Sequence, residues 1–286
     1  MLIDIHAHPN YYGYNVEKLL KNMDDYKIDK AWMLTLETPE GEYYPFWYKH
    51  FGNQFGALPF DAALEFVRQA PERFVLAYGI DPRRLDAIPK LEAAIELYGV
   101  RIYGEIMLRM MYDNPDAVKM FRFCGEKKLP VIVEIRYGIP TGETYPRSEW
   151  WYGGGIDAYA RAIRQCPDTV FFGHGPGFWA HISGDDLFDQ VDYPKEGIKP
   201  GGKLLDLMEE LENLFLDLSA GSGLNALSRD RSFAKELLVK YQDRACFGRD
   251  DVNNDLQEYL DTLGLPKNVM EKIRHENAER ILEEYS

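Results

Sequence analysis

The sequence predicts an α/β protein, specifically a (β/α)8 TIM barrel. Three observations point there. Eight short apolar runs cross the chain, amphipathic stretches fall between them, and the 286 residues are close to the ~250 typical of one such barrel. The expectation is one domain spanning 1–286. An open, doubly wound parallel sheet has the same alternation and is the competing fold, because periodicity does not say whether a sheet closes.

The apolar runs, read in order, are 2–6, 31–36, 74–80, 100–108, 130–135, 170–173, 214–218 and 245–248. Each is short and bounded by polar or turn-forming residues, the pattern of a strand buried on both faces. Between them, 16–26, 60–69, 85–98, 116–127, 155–165, 203–212 and 233–241 place apolar residues at helical spacing. The last stretch, 267–285, reads as one or two helices packing beside the first strand. Two connections, 38–59 and 138–155, are longer than ordinary loops and rich in aromatic residues and glycine. They suit lids over a site or packed excursions on the rim.

Composition narrows the function classes. A hydrophobic fraction of 45% with 28% charged residues is that of a soluble globular chain. The net charge of −14 argues against a nucleic-acid partner, whose binding relies on Lys and Arg displacing counterions. No apolar stretch is long enough to span a bilayer, and no secretory signal opens the sequence. The expectation is therefore a cytoplasmic protein with a small-molecule substrate and no membrane. Cys124, Cys166 and Cys246 are odd in number and set in apolar surroundings, which suits reduced core thiols.

The chemistry collects at the strand ends. His6 and His8 close the first run, and two residues apart on a strand they share a face, so both imidazoles can reach one metal ion. In a barrel of this kind the site is built at the C-terminal ends of the strands. Those ends carry Glu105 on the fourth strand, Glu134 on the fifth, His174 on the sixth and Asp250 on the eighth. A charge buried without a partner is costly, and convergence on a cation accounts for all of them together. Taken singly, His174 could be a core histidine, Asp250 a helix cap, and Glu105 or Glu134 the partner of a nearby arginine. The glycines of 173–177 lack the spacing and the lysine of a phosphate-binding loop and are read as letting the chain turn beside His174.

Several of these segments together resemble the amidohydrolase superfamily. They are Ile-Asp-Ile-His-Ala-His at 3–8, Leu-Pro-Val at 129–131, Phe-Gly-His at 172–174, Cys-Phe-Gly-Arg-Asp at 246–250 and Asn-Ala-Glu-Arg at 277–280. The likeness is to the amidohydrolase 2 branch of metal-dependent hydrolases and aminocarboxymuconate semialdehyde decarboxylase-like proteins. It implies that His6, His8 and Asp250 hold a divalent metal, most often zinc. It also implies that His174 acts on the substrate or holds a second ion. Where the family commonly has a histidine after Leu-Pro-Val, this chain has Glu134, taken as a fourth ligand. A carboxylate there favours Mn or Fe more than a third imidazole would. Glu105 is similar to the bridging carboxylate of TatD-like relatives and, with His174, is the candidate for a second metal or for substrate contact; one ion is favoured over two. Related barrels often form homodimers, and this chain could do the same.

The resemblance implies hydrolysis of a C–N or C–O bond through metal-activated water, with Asp250 and His174 as the catalytic residues. Non-oxidative decarboxylation of a small carboxylic acid is the alternative chemistry, and a non-catalytic metal- or ligand-binding barrel is the alternative class. Arg109, Arg136 and Arg249 could grip a substrate carboxylate, and Trp150, Trp151 and His181 could line the pocket.

Overall fold

The computed structural model describes residues 1–39, 42, 58–138 and 151–284. Among these, eight strands follow the predicted order: β1 (Ile3–Ala7), β2 (Lys30–Met33), β3 (Phe74–Leu76), β4 (Tyr103–Ile106), β5 (Val131–Glu134), β6 (Phe171–His174), β7 (Leu214–Asp217) and β8 (Ala245–Cys246). The helices are α1 (Val16–Asp25), α2 (Phe60–Gln69), α3 (Ala87–Tyr98), α4 (Pro115–Glu126), α5 (Gly155–Gln165), α6 (Pro176–Trp179), α7 (Lys203–Glu210), α8 (Ala220–Ser228), α9 (Arg231–Lys240), α10 (Asp255–Thr262), α11 (Lys267–Glu271) and α12 (Asn277–Glu284). A π-helical turn, Lys272–Glu276, joins the last two.

Local chemistry sets several boundaries. The Asn15 side chain accepts from the Lys18 N–H to start α1, and Asn114 caps α4 ahead of Pro115, whose missing N–H costs nothing at a first helical position. Helices α6, α8 and α10 fall outside the periodic stretches read from the sequence. Helix α8 is Ala-Gly-Ser-Gly-Leu-Asn-Ala-Leu-Ser, too rich in glycine and serine to show a helical stripe.

All strand pairs are parallel, in the order β1-β2-β3 and β4-β5-β6-β7-β8. Two sets of backbone bonds join these sheets into a closed barrel. Tyr78 N–H donates to Ile102 O and Arg101 N–H to Leu76 O between β3 and β4, and Ile5 N–H donates to Phe247 O between β1 and β8, each at 3.0 Å. The open sheet is thereby excluded.

The interior of the barrel is filled by Ile5, Trp32, Leu34, Ile132, Phe172 and Phe215, closed from below by Ala278 and Ile281 of α12. A second apolar layer, including Leu19, Met33, Phe66, Leu91, Phe121, Val133 and Phe171, seals strands against helices. Full burial of each such side chain stabilises the fold by roughly 1.5–3 kcal/mol before entropy is counted. Asn277 explains the C-terminal motif: its amide donates to Gln242 O at 2.7 Å and to Ala245 O at 2.8 Å, tying α12 to the start of β8. Cys124, Cys166 and Cys246 are buried thiols, as expected. No helix among the described residues is long and apolar enough to cross a membrane.

Two irregularities place the site. In β1, Asp4 pairs with Ala31 and Ala7 with Met33, three steps against two. In β4, Tyr103 pairs with Val131 and Ile106 with Val133, again three against two. Ile3, Ile5 and Ile102 face the barrel interior, so strict alternation would turn His6 and Glu105 outward. A bulge shifts the side-chain phase by one residue, and it delivers both side chains to the interior.

Candidate metal centre

His6, His8, Glu105, Glu134, His174 and Asp217 are all buried at the C-terminal ends of the strands, and Asp250 is partly exposed beside them. Three of these, His6, His8 and Asp250, offer ligand atoms within 4.8 Å of one another, and so do Glu105, Glu134 and His174.

The imidazoles are aimed by what their Nδ1 atoms meet. His6 Nδ1–H donates to Asp217 Oδ2 at 2.7 Å, and His8 Nδ1–H donates to Leu34 O at 3.2 Å. His174 Nδ1 lies 3.0 Å from Ser219 Oγ and 3.5 Å from Asp217 Oδ2. With the protons on Nδ1, each Nε2 presents a lone pair, the arrangement by which outer carboxylates and carbonyls orient metal-binding histidines.

Those lone pairs face carboxylate oxygens, which are acceptors too. His6 Nε2 lies 3.3 Å from Glu105 Oε2 and 3.8 Å from Asp250 Oδ1. His8 Nε2 lies 3.4 Å from Glu105 Oε2 and 3.3 Å from Asp250 Oδ1. Four donors each about 2.1 Å from a tetrahedral ion would be separated by about 3.4 Å, so these contacts match the edges of a coordination shell. They are long for charge-assisted hydrogen bonds, and His6 Nε2 has no hydrogen-bond partner although it is buried. The two imidazole nitrogens and the Asp250 carboxylate therefore fit a divalent cation, and Glu105 Oε2 lies at the same spacing from both imidazoles.

The electrostatics show the same deficit of positive charge. Burial alone would lower the His6 and His8 pKa values, but the Glu105, Asp217 and Asp250 carboxylates around His6, and the Asp250 and Glu105 carboxylates beside His8, more than reverse this and raise both. Burial would raise the Glu105 and Asp250 carboxyls; the His6 charge, above all, holds them low instead. Glu134 goes the other way. Burial and then the neighbouring Glu105 charge push its carboxyl up.

Glu105 gathers with His174, as its pairing in the sequence reading expects, and also reaches the histidine pair, whereas Glu134 stands farther from that pair. The oxygen facing both His6 and His8 belongs to Glu105, while Glu134 gathers with Glu105 and His174. Register explains this: Glu134 pairs with His174 across β5 and β6, whereas the β4 bulge swings Glu105 toward β1. Gly175, at φ +87°, leaves room for Glu134, because a Cβ there would lie 2.5 Å from Glu134 Cγ. Asp217 escaped the sequence reading because it sits inside the run 214–218; a charged residue interrupting an apolar strand was the available signal.

A cavity of about 370 Å³ opens over the site, lined by Glu134, His174 and Asp250 and by Tyr11, Tyr12, Arg136, Asp192, Tyr193, Ser222 and Asp251, among others. Of the candidate substrate residues, Arg136 is on this wall, paired with Asp192 and 3.9 Å from Glu134 Oε1. Arg249 is not. It is buried and spent on Asp4, whose Oδ2 accepts from its Nε at 2.7 Å, so the expectation of a substrate contact is corrected to a structural ion pair. His181 is likewise turned away. It is buried, its Nε2 shares a hydrogen bond with the Tyr137 hydroxyl at 2.8 Å, and its ring stacks on Phe188. The Arg109 guanidinium lies 5.7 Å from the Trp151 ring centroid, and neither is among the described residues lining the cavity. Trp150 lies outside the described residues.

Comparison with known proteins adds the family. A sequence model described as Amidohydrolase (Amidohydro_2) matches residues 3–283. No curated protein sequence matches. Among solved structures, an uncharacterised TIM-barrel protein from Bordetella bronchiseptica is similar at TM-score 0.63 and 16% identity, covering 99% of both chains. A probable 2-pyrone-4,6-dicarboxylic acid hydrolase from Acinetobacter baumannii, with citric acid bound, is similar at TM-score 0.62 and 13% identity, covering 99% of both. A dihydroxybenzoic acid decarboxylase from Polaromonas sp. JS666, with manganese and 2-nitroresorcinol bound, is similar at TM-score 0.55 and 14% identity, covering 92% of this chain and 84% of the other. At these identities the structural likeness establishes the barrel. The match over nearly the whole sequence establishes that the chain belongs to the amidohydrolase family.

Proposed function

We propose that this protein is a metal-dependent hydrolase that cleaves a C–N or C–O bond of a small molecule. The observation that carries the reading is the convergence of His6 Nε2, His8 Nε2, Glu105 Oε2 and Asp250 Oδ1 at coordination-shell spacing beneath an open cavity. Those four residues would hold the ion. When bound, a divalent cation would supply Lewis acidity there, lowering the pKa of a water toward neutrality and polarising the bond to be cut. Zinc is the expected ion. The equal share of oxygen donors makes manganese or iron the competitor.

The chain's own residues divide the remaining work. Asp250 has one oxygen among the ligand atoms and the other, Oδ2, 3.4 Å from His174 Nε2. On the cavity wall it is placed to take a proton from the attacking water and return it to the leaving group. His174, held by Ser219, hydrogen-bonds a substrate oxygen as charge develops on it. Arg136 and Glu134 orient the substrate from the part of the cavity wall beside His174.

Glu105 Oε1 favours a second reading of the ion count. It is buried without a hydrogen-bond partner, lies 4.0 Å from His174 Nε2 and neighbours Glu134. A second cation would be held by Glu105, Glu134 and His174, whose ligand atoms lie within 4.8 Å of one another.

Elemental analysis of protein stripped by chelation and reloaded tests both points. At least one ion per chain is expected, lost in His6→Ala and His8→Ala, and full occupancy in those variants overturns the reading. The bond class is tested on a panel of lactones, esters and amides beside aromatic acids. Release of carbon dioxide, with no hydrolysis of the panel, would replace hydrolysis by decarboxylation, and no turnover of either set by metal-loaded protein would leave a binding barrel.

A further inference from the structure

Asp250 has a positive φ of 48°, a left-handed conformation that costs a non-glycine residue energy and persists where its surroundings fix it. A connected set of hydrogen bonds fixes this one. Asp4 Oδ1 accepts from the Arg249 N–H at 2.8 Å and from the His6 N–H at 3.1 Å, while Asp4 Oδ2 takes the Arg249 Nε–H. Arg249 Nη1 donates to Asn22 Oδ1 at 2.7 Å, and Asn22 Nδ2 donates to Val252 O at 2.8 Å. The residue before Asp250 is thus pinned to β1, and the second residue after it is pinned to α1. The Asp250 N–H itself donates to His6 O at 2.8 Å.

We propose that Asp4, Arg249 and Asn22 form a positioning clamp that holds Asp250 in its left-handed conformation and fixes its distance from His6 and His8. The clamp acts through the ligands and touches neither metal nor substrate. Asp4 and Arg249 are 0% and 4% exposed, and a pair this deeply buried is a poor source of stability compared with apolar side chains of similar volume. One Asp4 carboxylate oxygen bridges the backbone of β1 and the segment that leads from β8 to Asp250, a task no apolar replacement could perform. The inference rests on the metal reading above.

Asp4→Asn tests it, since it keeps the shape of the side chain and weakens its acceptance from two N–H groups and a guanidinium. Metal affinity, measured by competition with a chromophoric chelator using Zn2+ and Mn2+ as probes, is expected to fall roughly tenfold to hundredfold, the usual effect of losing an outer-shell partner. Occupancy at saturating metal should stay at the wild-type value. Asn22→Ala, which cuts only the α1 arm, should give a smaller loss and serves if Asp4→Asn does not fold. Wild-type affinity in folded Asp4→Asn, or in Asn22→Ala should the first not fold, overturns the clamp, even where the melting temperature falls. Wild-type protein that binds no metal overturns the metal reading instead, so the two failures are distinguishable.

Discussion

Arg249 and Arg136 stand near the ends of two barrel strands and look alike in sequence, yet they belong to opposite kinds of environment. Arg249 is buried between β1, β8 and α1, and its partners are Asp4 and Asn22. Arg136 is 14% exposed in its side chain and faces the cavity with Asp192 and Glu134. The β1–β8 side of the site is held by short buried hydrogen bonds, and the β5–β6 side by charges that look onto open space. The first is built to place atoms and the second to meet a ligand. A position at a strand end therefore locates a side chain in the barrel without saying which of these tasks it has.

The largest effect should separate Glu105, which faces His6 and His8, from Glu134, which lines the cavity. Glu105→Gln removes a donor facing both His6 and His8, and metal affinity and activity are each expected to fall at least a hundredfold, roughly, as when a ligand or its charge is lost. Glu134→Gln should keep the ion that His6 and His8 hold and lower kcat/KM by about ten- to a hundredfold through the cavity wall. Metal titration and kinetics on the same preparations check this. The opposite result, with that ion lost in Glu134→Gln and retained in Glu105→Gln, would restore the assignment read from the sequence.

The arginines give the next contrast, now in stability. Arg249→Gln leaves Asp4 buried without its countercharge and should cost about 3–5 kcal/mol in urea unfolding. Arg136→Gln should cost about 1 kcal/mol or less while raising KM. Equal losses for the two, at unchanged KM, would erase the distinction between the placing side and the ligand side.

Much of the placing side was legible in the sequence. His6, His8 and Asp250 stand where their strands end, and periodicity located those ends to within a few residues. Glu105 was visible as a candidate but not as the residue facing the histidines, because a one-residue bulge changes which face a side chain takes and leaves no mark in hydrophobic alternation. Asp217 was hidden by an apolar run long enough to absorb one charge. The ligand side was harder. Tyr11, Tyr193 and Asp192 line the cavity from connections whose paths depend on packing, and His181, read as a pocket residue beside Trp179, turns into the protein to meet Tyr137.

His181 gives the smallest effect and closes the comparison, because it is a histidine on neither side. Burial pushes its pKa down to about 4. The geometry suits a neutral ring: the Tyr137 hydroxyl, which accepts from the Ile156 N–H at 3.0 Å, keeps its own proton for His181 Nε2 at 2.8 Å. An unfolded chain titrates this imidazole near 6.5. Between those values the unfolded state binds a proton that the folded state refuses, so stability from this group is complete above about pH 6.5 and declines as the pH falls toward 4, by at most about 1.4 kcal/mol per unit. His181→Gln keeps an acceptor for Tyr137 and cannot titrate. Urea unfolding at pH 7.0 and 5.5 should therefore show a smaller acid loss in the variant than in wild type, by about 1–2 kcal/mol. Identical losses would mean that His181 accepts its proton in the folded protein, and that it belongs with the titrating histidines of the site after all.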